Sequence, residues 1–152
     1  MIKPADIHRK RKLLEQAEAD IRMAIELSPV KDSPVYYGQL AHILSAQGRF
    51  EEAISLFQKA ISLSEKVTVW DERLKKAAIA DYFVSMGQVY ARMGQEKLSK
   101  EYIDKGIKLA PTEEQRRVLK AIREGTFPPA KNIKELKRRL PAFTGKELPP
   151  MD

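Results

Sequence analysis

Residues 37–60 read YGQLAHILSAQGRFEEAISLFQKA. In the first half, Tyr37, Leu40, Ala41 and Leu44 fall at steps of three and four, one apolar face of a helix. Gly48 stops that helix, because glycine takes the left-handed conformation beyond a helix end without steric cost. A second helix follows at once from about Phe50. Its stripe is Ala53, Phe57, Ala60 and Ile61, and Glu51 and Glu52 sit in its first turn, where the helix dipole favours anions. Small residues at Ala41, Ala53 and Ala60 let two helices approach closely, while Tyr37, Leu44 and Phe57 fill the space between them. The stretch predicts an antiparallel helical hairpin. One hairpin leaves an apolar face uncovered, so neighbours must stack on it.

Working outward, the same periodicity continues. Upstream, Leu14, Ala17, Ile21 and Ala24 form one stripe, with Leu13 and Ile25 beside it, and Pro29 ends that helix. Ser33-Pro34 predicts a side-chain cap and a proline in the first turn of the next. Downstream, Thr68 and Asp71 resemble a capping box that opens a long helix through Leu74, Ala77, Ala78, Phe83, Met86 and Tyr90, stopped by Gly94. A fifth helix is predicted from about Glu96 to Leu109, closed by Pro111. Thr112 and Gln115 form a capping box for a sixth, with Val118, Leu119 and Ile122 inward, Arg116, Arg117, Lys120 and Arg123 outward, and Gly125 as its stop. After Phe127-Pro128-Pro129 a short helix over 132–140 is predicted from Ile133, Leu136 and Leu140. Residues 141–152 read as irregular.

The pattern Tyr37-x-x-Leu40-Ala41-x-x-Leu44-x-x-x-Gly48-x-Phe50-x-x-Ala53-x-x-x-Phe57-x-x-Ala60 is similar to the tetratricopeptide repeat. A second copy reads Phe83-x-x-Met86-Gly87-x-x-Tyr90-x-x-x-Gly94 and runs on to Ser99, Ile103, Gly106, Leu109 and Pro111. Ala17, Ile21, Ala24, Leu27 and Pro29 resemble the back half of a repeat without its front half. The resemblance implies an all-α, antiparallel helix-hairpin repeat array, a right-handed superhelix with a C-terminal capping helix. Three parts are expected: a basic N-terminal segment over 1–12, the array over 13–125, and a basic, proline-containing segment over 126–152. From Ala53 to the equivalent Ser99 the spacing is longer than the usual repeat of about 34 residues. The excess falls at 64–76, which predicts extra helix length there.

The resemblance also implies a function. In this family the first helix of each hairpin lines a concave groove. The groove residues carried over are Val35, Gly38, His42, Ser45 and Ala46, then Asp81, Val84, Gln88, Ala91 and Arg92, with Lys120 and Arg123 from the sixth helix. Val84 and Gln88 are expected to face the concavity and not the neighbouring helix. The subfamily that clamps the C-terminal carboxylate of heat-shock chaperones needs Lys, Asn and Arg at such positions. Here only Arg92 is of that kind, and Gly38 and His42 stand where Lys and Asn are expected, so that clamp is not. The groove is mixed, small and mildly polar, suited to a helix or an extended peptide.

No catalytic or metal constellation is legible. The chain has no cysteine and two histidines, His8 within a basic run and His42 without a Cys, His or paired acid at ligand spacing. Gly87 and Gly94 do not form a phosphate loop. No catalytic residue, metal or cofactor is expected, and no enzymatic activity. The formal charge of +7 is uneven: residues 1–12 carry five Lys/Arg and one Asp, residues 112–152 ten and six acids, residues 13–111 thirteen and fourteen acids. Basic ends on a balanced body read first as solvated flanks. No apolar run approaches the roughly 20 residues of a membrane span, and no secretory signal is legible, so a cytoplasmic protein is expected. The leading reading is an adaptor that binds a protein or peptide in the groove or on a helix flank. One alternative is association with nucleic acid or an acidic surface through the basic ends. The other is a self-assembling unit, a homo-oligomer in which the uncovered flank of the first helix meets another copy.

Overall fold

The computed structural model describes residues 3–30 and 32–125. Six helices follow one another: α1 Pro4–Leu27, α2 Pro34–Ala46, α3 Phe50–Lys66, α4 Glu72–Arg92, α5 Glu96–Leu109 and α6 Glu113–Glu124. Each packs on the next, most extensively within the hairpins α2–α3 and α4–α5. Side-chain contacts also join α2 to α4 and α4 to α6. The even-numbered helices therefore make one layer and the odd-numbered helices the other. The fold is an all-α helical repeat.

Equivalent turns close the two hairpins. Gly48 at φ 81° and Gly94 at φ 79° end α2 and α4 in the left-handed region. Beyond them the Arg49 N–H donates to the Leu44 carbonyl, and the Gln95 N–H to that of Tyr90, both at 2.9 Å. This is the bond pattern of a helix end whose orphan carbonyls are satisfied by the chain turning back. The extra length expected at 64–76 is found: α3 has 17 residues against 14 in α5, and α4 has 21 against 13 in α2.

Three local expectations are revised. Asp71, not Thr68, caps α4: its carboxylate accepts the Leu74 N–H at 2.8 Å. Ser33 makes no side-chain cap, and α2 begins on Pro34, whose fixed φ already suits a first turn. Thr112 accepts the Gln115 N–H at 3.1 Å, but the Gln115 amide leaves the expected reciprocal box and donates to the Ala77 carbonyl and Asp81 of α4.

Phe57, Leu40, Leu44 and Met86 are the large apolar side chains most fully buried. They divide into neighbouring clusters: Leu40, Leu44 and Ala53 toward α1; Ala41, Phe57, Met86 and Val89 in the middle; Ala80, Val84, Ile103 and Leu119 toward α6. α1 starts at Pro4 and so carries the basic run Arg9–Lys12 inside the helix; the division at residues 12–13 marks no helix end. Glu18 ties α1 to the next hairpin, accepting from Arg49 at 2.8 Å, Gln47 at 3.2 Å and Arg22 at 2.9 Å. Burial raises the Glu18 carboxyl, but these donors outweigh it and hold the group below the usual range. The short helix expected over 132–140 and the irregular end over 141–152 lie outside the described residues.

Candidate functional site

Exposed side chains of α2 and α4 line one side of the even-numbered layer. On α2 they are Val35, Gln39, His42 and Ala46; on α4 one stripe holds Asp81, Gln88 and Arg92, with Ser85 half-buried among them. Each set recurs at steps of three and four, so each is one helical stripe. The opposite stripes hold Leu40, Leu44, Ala80, Met86 and Gly87, all buried. Burying those faces in the hairpins leaves the first stripes to solvent.

Three residues expected in the groove are not on this surface. Gly38 is buried at the α2–α4 seam, where a Cβ would come within 2.6 Å of the Tyr82 ring. The Tyr82 side chain lies over it and donates its hydroxyl to the Pro34 carbonyl at 3.4 Å. Ser45 is buried at the other end of the same seam. Val84 is 2% exposed and packs on Gly106 of α5, so it faces the neighbouring helix, contrary to the expectation. A fourth residue is turned aside: Arg123 pairs with Asp104 of α5 at 2.6 Å. Lys120 and Ala91 are exposed.

The polar members are held in place. The Arg92 guanidinium donates to the Ser45 carbonyl at 2.8 Å and to its hydroxyl at 3.1 Å, and lies 4.9 Å from the Phe50 ring. It thus satisfies a carbonyl in the last turn of α2, where cations are favoured. Arg92 is a seam residue with one open edge, not a free anion clamp. Asp81 keeps part of its surface in solvent, yet the mass of the fold around it pushes its carboxyl pKa up, and the Gln115 amide partly offsets this. His42 is likewise exposed at one edge while its ring lies edge-on to Phe57, 4.9 Å between centroids. Burial of the rest of the ring lowers its pKa.

Gln39 and Ser85 belong to the surface and were not among the expected residues. Their signal was present: Gln39, His42 and Ala46, and Asp81, Ser85, Gln88 and Arg92, are runs of non-core residues at helical spacing. An open hollow of about 470 Å³ adjoins the α2 stripe, lined by Gln39, His42 and Ile43 with Ala17, Asp20 and Ile21 of α1. A larger cleft, about 750 Å³, lies elsewhere, between the first half of α1 and the α2–α3 turn. Among the described residues no group of three or more His, Asp or Glu lies close enough together to hold a metal ion, and no helix is long and apolar enough to cross a membrane.

Comparison with known proteins places this geometry. The N-terminal domain of stress-induced protein-1 from C. elegans superposes with a TM-score of 0.55, at 20% sequence identity, over 77% of this chain and 87% of that one. At that identity the likeness is one of fold. No curated protein sequence matches the chain. The family model of the tetratricopeptide repeat matches residues 34–67 and 80–113, which are the hairpins α2–α3 and, from within α4, α4–α5. These two segments are tetratricopeptide repeats, a helical-hairpin unit of protein–protein interaction modules.

Proposed function

We propose that the exposed side of α2 and α4 binds a segment of a partner protein, a short helix or an extended peptide. The observation that carries this is the pair of parallel stripes Val35–Gln39–His42–Ala46 and Asp81–Ser85–Gln88–Arg92. They combine apolar, amide and charged groups on rigid helices. A mixed surface of this kind offers hydrogen bonds for register and small apolar contacts for area. Arg92 is already tied to Ser45, so it does not stand as a free cation for a terminal carboxylate. The family's general role in protein binding supports the reading. So does the charge of the array, where Arg22, Arg49, Arg116 and Arg123 are each engaged by carboxylates, not left open to phosphates.

The test is affinity capture from lysate with identification by mass spectrometry, followed by binding of the purified partner. Ala46→Arg with Gln88→Arg blocks the face without touching buried residues. Glu101→Lys, exposed on α5, is the control. The expected result is at least tenfold weaker binding for the double variant and unchanged binding for the control. Equal binding by all three proteins refutes the face as the site.

A further inference from the structure

α1 is built like α3 and α5 but is not covered like them. Ala17, Ile21 and Ala24 have the spacing of Ala53, Phe57 and Ala60, and of Ser99, Ile103 and Gly106. In α3 and α5 all of these are buried, beneath the antiparallel helices α2 and α4 of their own hairpins. In α1 no residue is buried. Leu13 is 61% and Leu27 73% exposed on the same side as Ala17 and Ala24. The open hollow between α1 and α2 begins at Ala17 and Ile21. Judged by the two complete hairpins, this is the seat of one more antiparallel helix.

Charge selects the occupant. The position that is Leu56 in α3 and Tyr102 in α5 is Asp20 in α1, so a helix seated there must meet Asp20 with a cation. α1 is itself charged end against end. Residues 3–12 hold five Lys/Arg and one Asp; residues 13–27 hold four acids and one Arg. Among the described residues Lys10, Arg11 and Lys12 enter no ion pair, Arg9 reaches only Asp6 at 4.0 Å, and Asp20 enters none. The cations crowd the positive end of the helix dipole, an arrangement that is unfavourable unless something opposes it. An antiparallel copy of the same helix brings a basic half to an acidic half twice over and sets the two dipoles head to tail.

We propose that the seat is filled by α1 of a second copy of this chain, in a twofold-symmetric dimer. Its axis passes near Gln16, with Arg9 and Lys12 of each copy facing Asp20 of the other. The contact is isologous, so each copy covers its partner's flank with its own. The seat borders Gln39 and His42 of the α2 stripe and leaves the exposed stripe of α4 free; the dimer is read by mass and the binding face by partner affinity, so the two fail separately.

The full chain is measured by sedimentation or light scattering across a concentration series. The wild type is expected to reach twice the chain mass. Asp20→Lys, and separately Arg9→Glu with Lys12→Glu, put like charges across the axis and should each remain at single-chain mass. All three positions are exposed, so helicity should not change. Mixed one to one, the two variants become complementary and should return to twice the mass. The chain has no cysteine, so Gln16→Cys should give a disulfide-linked dimer under mild oxidation, while Val69→Cys, 88% exposed on the α3–α4 connection, should not. Single-chain mass for the wild type at every concentration overturns the proposal, as it would if the chain's own residues 126–152 filled the seat. Dimers that persist in both variants, or variants that fail to associate when mixed, overturn the antiparallel arrangement.

Discussion

Hairpin α2–α3 fills the space between its helices with a side chain. Phe57, with no exposed surface, sits between Ala53 and Ala60 and touches Ala41 across the hairpin. Hairpin α4–α5 removes side chains instead. A Cβ on Gly87 would lie 2.5 Å from Ile103 Cγ1 and 2.8 Å from the Ser99 carbonyl; one on Gly106 would lie 2.6 Å from the Ala80 carbonyl. Both belong to one repeat family, so the repeat constrains the fit between helices and not the residues that achieve it. The two solutions fail in opposite directions. The first is sensitive to loss of volume, the second to gain.

Phe57→Ala is therefore the sharpest way to break the first hairpin. It should cost about 3–5 kcal/mol, a large share of a typical domain's stability. Urea unfolding with an unchanged m-value and a loss under about 1 kcal/mol would show that Phe57 does not hold the helices apart. In the second hairpin the strongest challenge is Val84→Glu, which puts a carboxyl against Gly106 and Ile103. Holding a Glu protonated at pH 7 costs about 4 kcal/mol, from roughly 1.4 kcal/mol per pH unit. Gln88→Glu, one turn along the same helix but exposed, should change stability by less than about 0.5 kcal/mol. Equal effects from the two would return Val84 to the surface and undo its assignment to the core.

Gly106→Ala tests the gain of volume directly. The new methyl meets backbone, which cannot swing away as a side chain can. A cost of about 1–3 kcal/mol is expected, reduced by the roughly 1 kcal/mol that alanine gains over glycine in a helix. The matched change Ala60→Gly in the first hairpin removes a buried methyl and should destabilise through lost packing and lower helix propensity. A stabilised Gly106→Ala protein would mean that α4 and α5 lie further apart than described.

The hairpins were legible in the sequence because periodicity, turn glycines and small–large alternation all agreed. Gly48, Gly94 and the Ala53–Phe57–Ala60 stripe each demand the same geometry, and consistency of that kind is what specifies a fold. The start of α1 was less legible. Arg9–Lys12 opposes the helix dipole, so local rules argue against helix there, yet α1 runs through it. The exposed face was legible in part. Its stripes follow from helical spacing, but carrying positions over from the family set Gly38, Ser45 and Val84 in the groove. Nothing local in the sequence announces that Tyr82 will lie on Gly38 or that the bare backbone at Gly106 will draw Val84 inward. Those are tertiary choices, made by a residue's neighbours and not by its place in a repeat.

The smallest expected effect separates the hairpins by pH. His42 of the first and Gln88 of the second are equivalent positions, but only one titrates. Burial against Phe57 lowers the His42 pKa in the folded protein, so the unfolded chain takes up a proton first as pH falls. Its contribution is fully present above the ordinary value of 6.5 and is lost as pH drops from there through the lower folded value. Wild-type stability should therefore fall between about pH 7.5 and pH 5.5. In that window Glu18 and Glu52, both held below the usual carboxylate range, stay ionised. His42→Gln installs the side chain of the second hairpin and should flatten the fall while leaving helicity unchanged. Urea midpoints for both proteins at the two pH values give the comparison. If the slope survives in His42→Gln, the proton is taken up elsewhere, and the contact between His42 and Phe57 is too open to exclude water from the ring.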